Sequence, residues 1–396
     1  MDAIRQRMVA DVPVGAFLSG GVDSSTVVAL MQAESQRPVK TFAIGFHEKD
    51  HNEAHFARKV ARHLGTDHTE LHVGPSHALD LVPHLPELYD EPFSDSSQIP
   101  TCLVSSLSRS KVTVALSGDG GDELFAGYNR YLMAARLRLI FRLLPHRSRQ
   151  WTARGLRSLS PATWDRVTRI IPSGSRPTLL GDKLHKLAEI LALKDTAAIH
   201  SQLLSVWPLH QEVVVGEGAA PPLPHANSSL ACLTGDTEQM QLLDILTYLP
   251  DDILAKVDRA SMAVGLEARV PLLDHRVVEF AWRLPQNWKI RADESKWLLR
   301  QVLYRYVPAS LIRRPKMGFG VPIDSWLRGP LRDWAEDLLD ARRLHADGLF
   351  DAPLIRKRWE EHLSRERNWQ YSLWGVLMAQ AWKQRWIDTP TTSHPS

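Results

Sequence analysis

The chain has 396 residues, 44% hydrophobic and 23% charged, values typical of a globular protein with a full core. Lysine and arginine outnumber aspartate and glutamate by only 48 to 45, which argues against a general nucleic-acid-binding surface. The two cysteines, Cys102 and Cys232, form no C-x-x-C pair, and no apolar run reaches the ~18 to 20 residues of a membrane span. We therefore expect a cytoplasmic protein with no disulfide framework, no zinc site, no membrane segment and no nucleic-acid partner.

Strand and helix signals alternate through residues 1–130. Four apolar or β-branched runs predict strands, at residues 12–18, 39–45, 68–73 and 111–116. Helices are predicted between them, at residues 23–31, 53–64 (closed by Gly65) and 78–88. Strands separated by helices indicate an α/β fold with a parallel, doubly wound sheet and right-handed crossovers, and such sheets bind ligands beyond the carboxyl ends of their strands.

The character of the sequence changes after Tyr128. Strand signals fade, amphipathic helical stretches dominate, and all thirteen tryptophans lie in this part of the chain. We expect helices packed by large aromatic side chains. The sequence thus predicts an α/β nucleotide-binding core over residues 1–130 and a largely helical part over residues 131–396.

The segment SGGVDSS (residues 19–25) follows the first predicted strand and opens a helix. Its two glycines let the backbone approach a ligand, and the helix N-terminus offers unpaired N–H groups. Three serine hydroxyls add donors, so the segment predicts a cradle for phosphate or pyrophosphate. It lacks the Gly-Lys-Ser/Thr ending of a Walker A loop. Because Asp23 would repel a bare polyphosphate, we expect Mg²⁺ to bridge this carboxylate and the phosphates.

A second glycine loop, SGDGGDELFAGY (residues 117–128), follows the predicted strand at residues 111–116. Three carboxylates this close together repel one another unless a cation compensates them. A Mg²⁺ shared by Asp23 and Asp122 would supply that charge. The pairing of these two residues follows from the topology of a parallel sheet rather than from sequence adjacency.

Together with LEARVPLLD (residues 266–274), ESKWLLR (294–300) and RRPKMGFGVP (313–322), the two loops resemble the synthetase domain of glutamine-hydrolysing asparagine synthetases of class B type, in the ATP pyrophosphatase superfamily. The resemblance covers residues 12–386. It implies a sheet of the adenine nucleotide alpha hydrolase type. It also implies an ATP- and Mg²⁺-dependent ligase that converts aspartate to a β-aspartyl-adenylate and pyrophosphate, after which ammonia gives asparagine and AMP.

The resemblance also implies roles for individual residues. Leu18, Ile44, Ser117 and Gly118 would contact adenosine, Ser19, Gly20, Gly21, Ser24 and Ser25 would cradle pyrophosphate, and Asp23 and Asp122 would bind Mg²⁺. Asp119 stands where asparagine synthetases carry a glutamate linked to adenylate formation and to the protons of the attacking ammonia. An aspartate is one methylene shorter, so the base would need to lie closer or act through water. This departure leaves the identity of the carboxylate open.

Lys316 resembles the lysine that steadies the pentavalent phosphorus and the leaving pyrophosphate. A lysine aimed at charge that accumulates during attack on the α-phosphorus acts mainly in the transition state. Four charged residues, Asp258, Arg259, Glu267 and Arg269, are candidates for a buried ion network that shapes the acceptor pocket, and of these we assign only Glu267 to catalysis. Lys296 could reach the nucleotide, but we expect it to be a surface lysine.

The nitrogen source stays open. Asp2 follows Met1 where a glutaminase of this class carries its cysteine nucleophile, and the SGGVDSS loop begins at Ser19, so we predict that the N-terminal glutaminase domain is absent. Four alternatives remain: the donor is free ammonia, a separate glutaminase subunit supplies the ammonia, or the chain is part of a longer gene product. In the fourth, the nucleophile is a different amine, as in β-lactam or peptide cyclisation. A homodimer also stays open.

Two rival functions are less well supported. An RNA-modifying ATP pyrophosphatase would need a basic RNA-binding module, and the net charge is only +3. A degenerate regulatory subunit should have lost Asp23, Asp122 or Lys316, and all three are present.

Overall fold

The computed structural model describes residues 1–46, 53–133, 143–160, 163–164, 180–207, 213–216, 232–233, 235–314 and 320–388. The chain divides into two compact units. The first unit comprises Met1–Gly127, His210–Ala220 and Ile245–Ser396, and the second comprises Tyr128–Leu209 and Pro221–Asp244.

A parallel sheet organises the first unit. Its strands, as far as the structure describes the chain, are β1 (Val14–Phe17), β2 (Lys40–Phe46), β3 (Asp67–Val73), β4 (Val114–Leu116) and β5 (Glu267–Arg269). Their order is β3-β2-β1-β4-β5, and every neighbouring pair is parallel. The chain runs outward from β1 to β3 and then returns to place β4 on the other side of β1. This switch point brings the loops that follow β1 and β4 side by side at one edge.

Helices cover the sheet. Those before β4 are α1 (Asp2–Arg7), α2 (Val22–Glu34), α3 (Ala54–Leu64), α4 (Pro75–Leu81), α5 (Leu85–Tyr89) and α6 (Gln98–Arg109), and α7 (Gly121–Leu124) follows β4. The predicted alternation of strands and helices is confirmed, with small shifts at the ends. Gly65 ends α3 in the left-handed conformation, as predicted (φ 71°). The helical stretch predicted at residues 78–88 is divided at its prolines into α4, a 3-10 turn (Val82–His84) and α5, because Pro83 and Pro86 lack the N–H that a continuous helix needs.

The second unit is helical where the structure describes it. Its helices are α8 (His146–Arg157), α9 (Leu180–Leu191) and α10 (Thr196–Leu204), and α11 (Asp236–Leu246) begins in this unit. The buried carboxylate of Asp244 accepts hydrogen bonds from the Tyr131 hydroxyl and from Nε2 of His200 (2.7 Å). Arg130 lies 2.9 Å from the same carboxylate and neutralises its charge. This network holds α10 and α11 together.

The rest of the first unit is mainly helical, as predicted. A π-helical segment, Leu249–Leu254, leads into the first of ten helices in this described stretch: α12 (Ala255–Met262), α13 (His275–Arg283), α14 (Gln286–Lys289), α15 (Trp297–Leu303), α16 (Ala309–Ile312), α17 (Ile323–Arg328), α18 (Arg332–Leu338), α19 (Ala341–Asp347), α20 (Ala352–Leu363) and α21 (Gln370–Lys383). The predicted aromatic packing is confirmed by Trp326, Trp359 and Trp374, whose side chains are fully buried. Among the described helices, none has the length and apolarity to cross a membrane.

This half of the chain also contributes β5, a strand that the sequence did not predict. The strand has three residues, too few for an alternating pattern to be visible. It pairs with β4 in the register Leu116↔Arg269, and so completes the sheet beside the second glycine loop.

Candidate active site

The turn between β1 and α2 is held by its own serines. The hydroxyls of Ser19 and Ser24 lie 3.0 Å apart, Ser24 Oγ accepts from the backbone N–H of Ser19 (3.2 Å), and Ser19 Oγ accepts from that of Gly21 (3.3 Å). Gly20 has a left-handed backbone (φ 74°), and a Cβ there would lie 2.8 Å from the backbone nitrogen of Ala57 in α3. Only glycine satisfies both conditions, so the first glycine fixes the shape of the loop.

The loop leaves donors free at the start of α2. Its N-cap residue, Gly21, supplies no side-chain hydrogen bond to the first turn. Ser25 Oγ is buried and has no hydrogen-bond partner among the described residues. An unpartnered buried hydroxyl is unfavourable in an isolated chain and favourable where a ligand oxygen completes it. The N-terminus of α2 therefore fits a phosphate group.

The second glycine loop packs directly against the first. A Cβ at Gly118 would lie 2.7 Å from the backbone nitrogen of Ser24, and one at Gly121 would lie 2.6 Å from the carboxyl carbon of Asp23. These glycines therefore permit backbone contact between the loops that follow β1 and β4. The consequence is that Asp23 and Asp122, almost a hundred positions apart in the sequence, share one small space.

Lys296 lies between these two carboxylates. Its Nζ donates to Asp23 Oδ2 and lies 2.9 Å from Asp122 Oδ1. The expectation of a surface lysine is wrong, since only 6% of this side chain is exposed. Burial alone would lower the pKa of Lys296, but the charges of Asp122 and Asp23 outweigh it and hold the pKa above its usual value. The ammonium is therefore charged at neutral pH.

The backbone at Lys296 is held in an unusual conformation. Its φ of 55° lies in the left-handed region, which costs a non-glycine residue about 1–2 kcal/mol. Its N–H donates to the carbonyl of Phe125 (3.1 Å), and its side chain runs against Gly127, where a Cβ would lie 2.8 Å from Nζ. Backbone strain of this kind persists where the surroundings enforce it. The lysine is thus locked onto the second glycine loop.

Asp119 is half-buried beside these residues. The hydroxyl of Ser117 donates to its carboxylate, and Ser117 is itself anchored by a hydrogen bond from its N–H to the carbonyl of Arg269 in β5 (2.8 Å). Burial raises the pKa of Asp119 against the opposing hydrogen bond from Ser117. A carboxyl group whose pKa is raised is a stronger base than an ordinary aspartate, which suits a role in proton transfer.

A second buried lysine faces Asp119 from α12. Lys256 Nζ donates to Asp95, in the loop before α6, and lies 3.5 Å from Asp252 Oδ1. Burial, aided by the charge of Asp95, raises the pKa of Asp252 to about 7. The positive charge of Lys256 also acts on Asp119 and opposes the rise of its pKa. The positive charges of Lys256 and Lys296 therefore both favour the ionised form of Asp119.

This second cluster is formed by residues other than those predicted from the sequence. Arg259 pairs with Asp90 at the surface (3.4 Å), Asp258 is exposed, and Glu267 is 56% exposed and pairs with Arg269 (2.7 Å). The buried network expected from these residues is therefore wrong. Spacing could have found the correct one, because residues 252 and 256 stand four apart and share one face of a helix.

The remaining predicted site residues lie as follows. Leu18 and Ile44 are buried at the end of β1 and within β2. Glu267 begins β5, at the end away from the glycine loops, and its catalytic role stays a prediction. Lys316 lies outside the described residues. Arg314, two positions earlier, donates to Glu53 Oε1 (2.9 Å) and lies 4.1 Å from the ring of Phe56, next to the first loop.

The fold is of the α/β nucleotide-binding type, with a glycine- and serine-rich loop and a carboxylate pair at the switch point of a parallel sheet. The family described as Asparagine synthase matches residues 1–384, and the chain belongs to this family. The predicted resemblance is thereby confirmed.

Three relatives illustrate the similarity. Asparagine synthetase [glutamine-hydrolyzing] 1 of Bacillus subtilis (strain 168) is 30% identical over 394 residues, 96% of this chain and 57% of the relative. A putative asparagine synthetase [glutamine-hydrolyzing] of Mycobacterium bovis is 33% identical over 403 residues, 100% of this chain and 58% of the relative. The asparagine synthetase [glutamine-hydrolyzing] of Mus musculus is 25% identical over 99% of this chain and 55% of the relative. The chain spans little more than half the length of these relatives.

Proposed function

We propose that this chain uses ATP to activate a carboxylate, aspartate in the first place, as an acyl-adenylate and then converts it to an amide with ammonia. Family membership supports an ATP-dependent carbon–nitrogen ligase. The observation that carries the proposal is the convergence of the two glycine loops, which sets an open phosphate cradle next to the carboxylates of Asp23 and Asp122 and the half-buried carboxyl of Asp119.

In the first step, a carboxylate oxygen of the substrate attacks the α-phosphorus of ATP, and the bond to the β-phosphate oxygen breaks to release pyrophosphate. The loop at residues 19–25 holds the leaving pyrophosphate through its N–H groups and hydroxyls. Lys316 supplies a positive charge that stabilises the negative charge accumulating on the α-phosphoryl group during the attack. Asp23 and Asp122 would hold Mg²⁺, which neutralises phosphate charge when bound.

In the second step, ammonia attacks the carbonyl carbon of the adenylate, and the bond to the AMP oxygen breaks. The attacking nitrogen must lose a proton. Asp119 is the residue that we assign to accept it, because burial raises its pKa and so makes this carboxylate a stronger base than an ordinary aspartate. Ammonia would come free from solution or from a separate glutaminase subunit.

A second candidate keeps the adenylation and changes the partners. The shorter Asp119 leaves more room beside the reacting carbonyl than the glutamate of asparagine synthetases, which favours a bulkier carboxylate or an amine nucleophile. The protein would then close a ring or join a peptide amine. A degenerate regulatory subunit is less well supported, because the charged groups of the site remain paired and buried.

The decisive experiment incubates the protein with Mg·ATP, a panel of carboxylates labelled with ¹⁸O, and ammonia, glutamine or amines. We expect pyrophosphate release, and transfer of one ¹⁸O from the carboxylate into AMP. Release of phosphate in place of pyrophosphate, or AMP free of label, would exclude the adenylate. Asp23→Ala and Lys316→Ala should abolish the reaction, whereas the exposed Lys357→Ala is a matched control that should keep it.

A further inference from the structure

Lys296 occupies the place between the two carboxylates to which we assign Mg²⁺. Its ammonium is bound by Asp23 from the first loop and by Asp122 from the second. The three side chains are shielded from solvent, with exposed fractions of 6% for the lysine and 17% and 20% for the aspartates. Water therefore screens their charges only weakly.

The lysine has little freedom to leave. Its left-handed backbone is tied to Phe125 by a hydrogen bond, its carbonyl accepts the N–H of Arg300 (2.9 Å), and its side chain is confined against Gly127. A cation that approaches Asp23 and Asp122 must therefore share the site with a fixed positive charge.

The sum of charges then determines which form of the metal is accepted. Two carboxylates carry a charge of −2, and Lys296 offsets half of it. A free divalent ion added to this group would leave an excess positive charge in a shielded place, which is unfavourable. When the same ion arrives with the phosphates of a nucleotide, their negative charge offsets this excess positive charge.

We propose that Lys296 is a resident counter-ion that makes the Asp23–Asp122 pair reject free divalent cations and accept them only together with a nucleotide. This inference rests on the proposed function in one respect, namely that these carboxylates bind the metal. It assigns to Lys296 a role in selecting the metal–nucleotide complex, and it predicts ordered entry of that complex as one unit.

The test uses Mn²⁺ as the probe and measures its binding to the full chain without nucleotide, from the loss of the electron paramagnetic resonance signal of the free ion. The wild-type protein should bind Mn²⁺ weakly. Lys296→Met, which keeps the length and removes the charge, should bind it at least about tenfold more tightly, as expected when a like charge a few ångströms away is removed. The double variant Asp23→Asn/Lys296→Met should lose this gain in affinity for Mn²⁺, which would show that the ion binds between Asp23 and Asp122.

Several outcomes would overturn the inference. One is tight binding of Mn²⁺ by the wild-type protein that Asp23→Asn abolishes, a result that needs no lysine variant. Another is an equal affinity for Mn²⁺ in the wild-type protein and in Lys296→Met, with folding of the variant verified by its thermal unfolding. If Asp23→Asn still releases pyrophosphate from Mg·ATP at the wild-type rate, the proposed metal role itself fails, and this is distinguishable from a failure that concerns Lys296 alone.

Discussion

Gly127 and Lys296 fit together so closely that no side chain can stand at residue 127. A Cβ there would lie 2.8 Å from Lys296 Nζ and would overlap both Lys296 Cε and Asp122 Oδ1. The last glycine of the second loop is therefore part of the site, although it carries no functional group. Its role is to give the lysine a path to the carboxylates.

Gly127→Ala should displace Lys296, with loss of pyrophosphate release and destabilisation of about 1–3 kcal/mol, as for overpacking in a core. Thermal unfolding and a pyrophosphate assay measure the two effects. Gly155→Ala is the matched control, because nothing lies within 4 Å of its Cβ position in helix α8. It should raise stability by about 0.5–1 kcal/mol. Unchanged activity in Gly127→Ala would contradict the tight fit.

Ser25→Ala should separate binding from folding. It removes a buried hydroxyl without a described partner, so the free energy of unfolding should stay the same or rise by about 1 kcal/mol. The dissociation constant for Mg·ATP should rise roughly tenfold or more, as for loss of a hydrogen bond to a charged group. Ser108→Ala is the control, since the hydroxyl of Ser108 already donates to Val104 (2.7 Å) and should not affect nucleotide binding. Equal effects of the two variants on ATP affinity would refute the role of Ser25.

Asp119→Asn should lower the rate of amide formation by about a hundredfold or more, the range for loss of a general acid–base group. Burial raises the pKa of Asp119, so the ionised, basic form of Asp119 accumulates as the pH rises. The wild-type rate, divided by the concentration of unprotonated ammonia, should therefore increase with pH. The variant should lack this rise. Rates measured across pH, with folding verified at each value, distinguish a proton-transfer role from a structural one; a profile of the same shape in both proteins argues against proton transfer.

Asp252→Asn should change how stability depends on pH. The pKa of Asp252 is raised to about 7 in the folded protein, against about 3.9 when unfolded, so folding retains a proton that the unfolded chain loses. The stabilisation from this proton is complete below about pH 4 and is lost as the pH rises to about 7. Asparagine does not titrate. The free energy of unfolding of the variant, relative to that of the wild type, should therefore rise by about 1 kcal/mol or more between pH 5 and pH 8.

Urea unfolding of Asp252→Asn and of the wild-type protein at the lower and the higher of these pH values measures the difference in their free energies of unfolding. Asp258→Asn, an exposed neighbour on α12, is the matched control and should leave the unfolding midpoints where they are. A constant difference between Asp252→Asn and wild type at both pH values would contradict the raised pKa.

The parts of the site that the sequence predicted are those fixed by local pattern. The SGGVDSS loop combines glycines, hydroxyls and a following helix within seven positions, and the parallel topology sends the ends of β1 and β4 to one edge. The proximity of Asp23 and Asp122 therefore followed from the strand order alone. The boundaries of the strands followed from their apolar runs.

The parts that the sequence did not predict depend on distant packing. Lys296 points inward because of a left-handed backbone and a glycine in another loop, and neither leaves a periodic signal. Strand β5 is too short for alternation to show. The pairing of Lys256 with Asp252 leaves a spacing of four in the sequence, but so do many exposed pairs, and the burial of Lys256 depends on packing around Asp95.

The lysine that joins the two loops stands 273 positions after the aspartate it binds. At the usual rates of translation of about 5–20 residues per second, the first loop leaves the ribosome tens of seconds before Lys296 is made. Strand β5, which anchors the second loop through Arg269, is made only shortly before that lysine. A ribosome-bound chain therefore carries its first glycine loop for a long part of synthesis without the groups that complete the site. On the proposed function, the growing protein should not consume ATP before Lys296 has been joined.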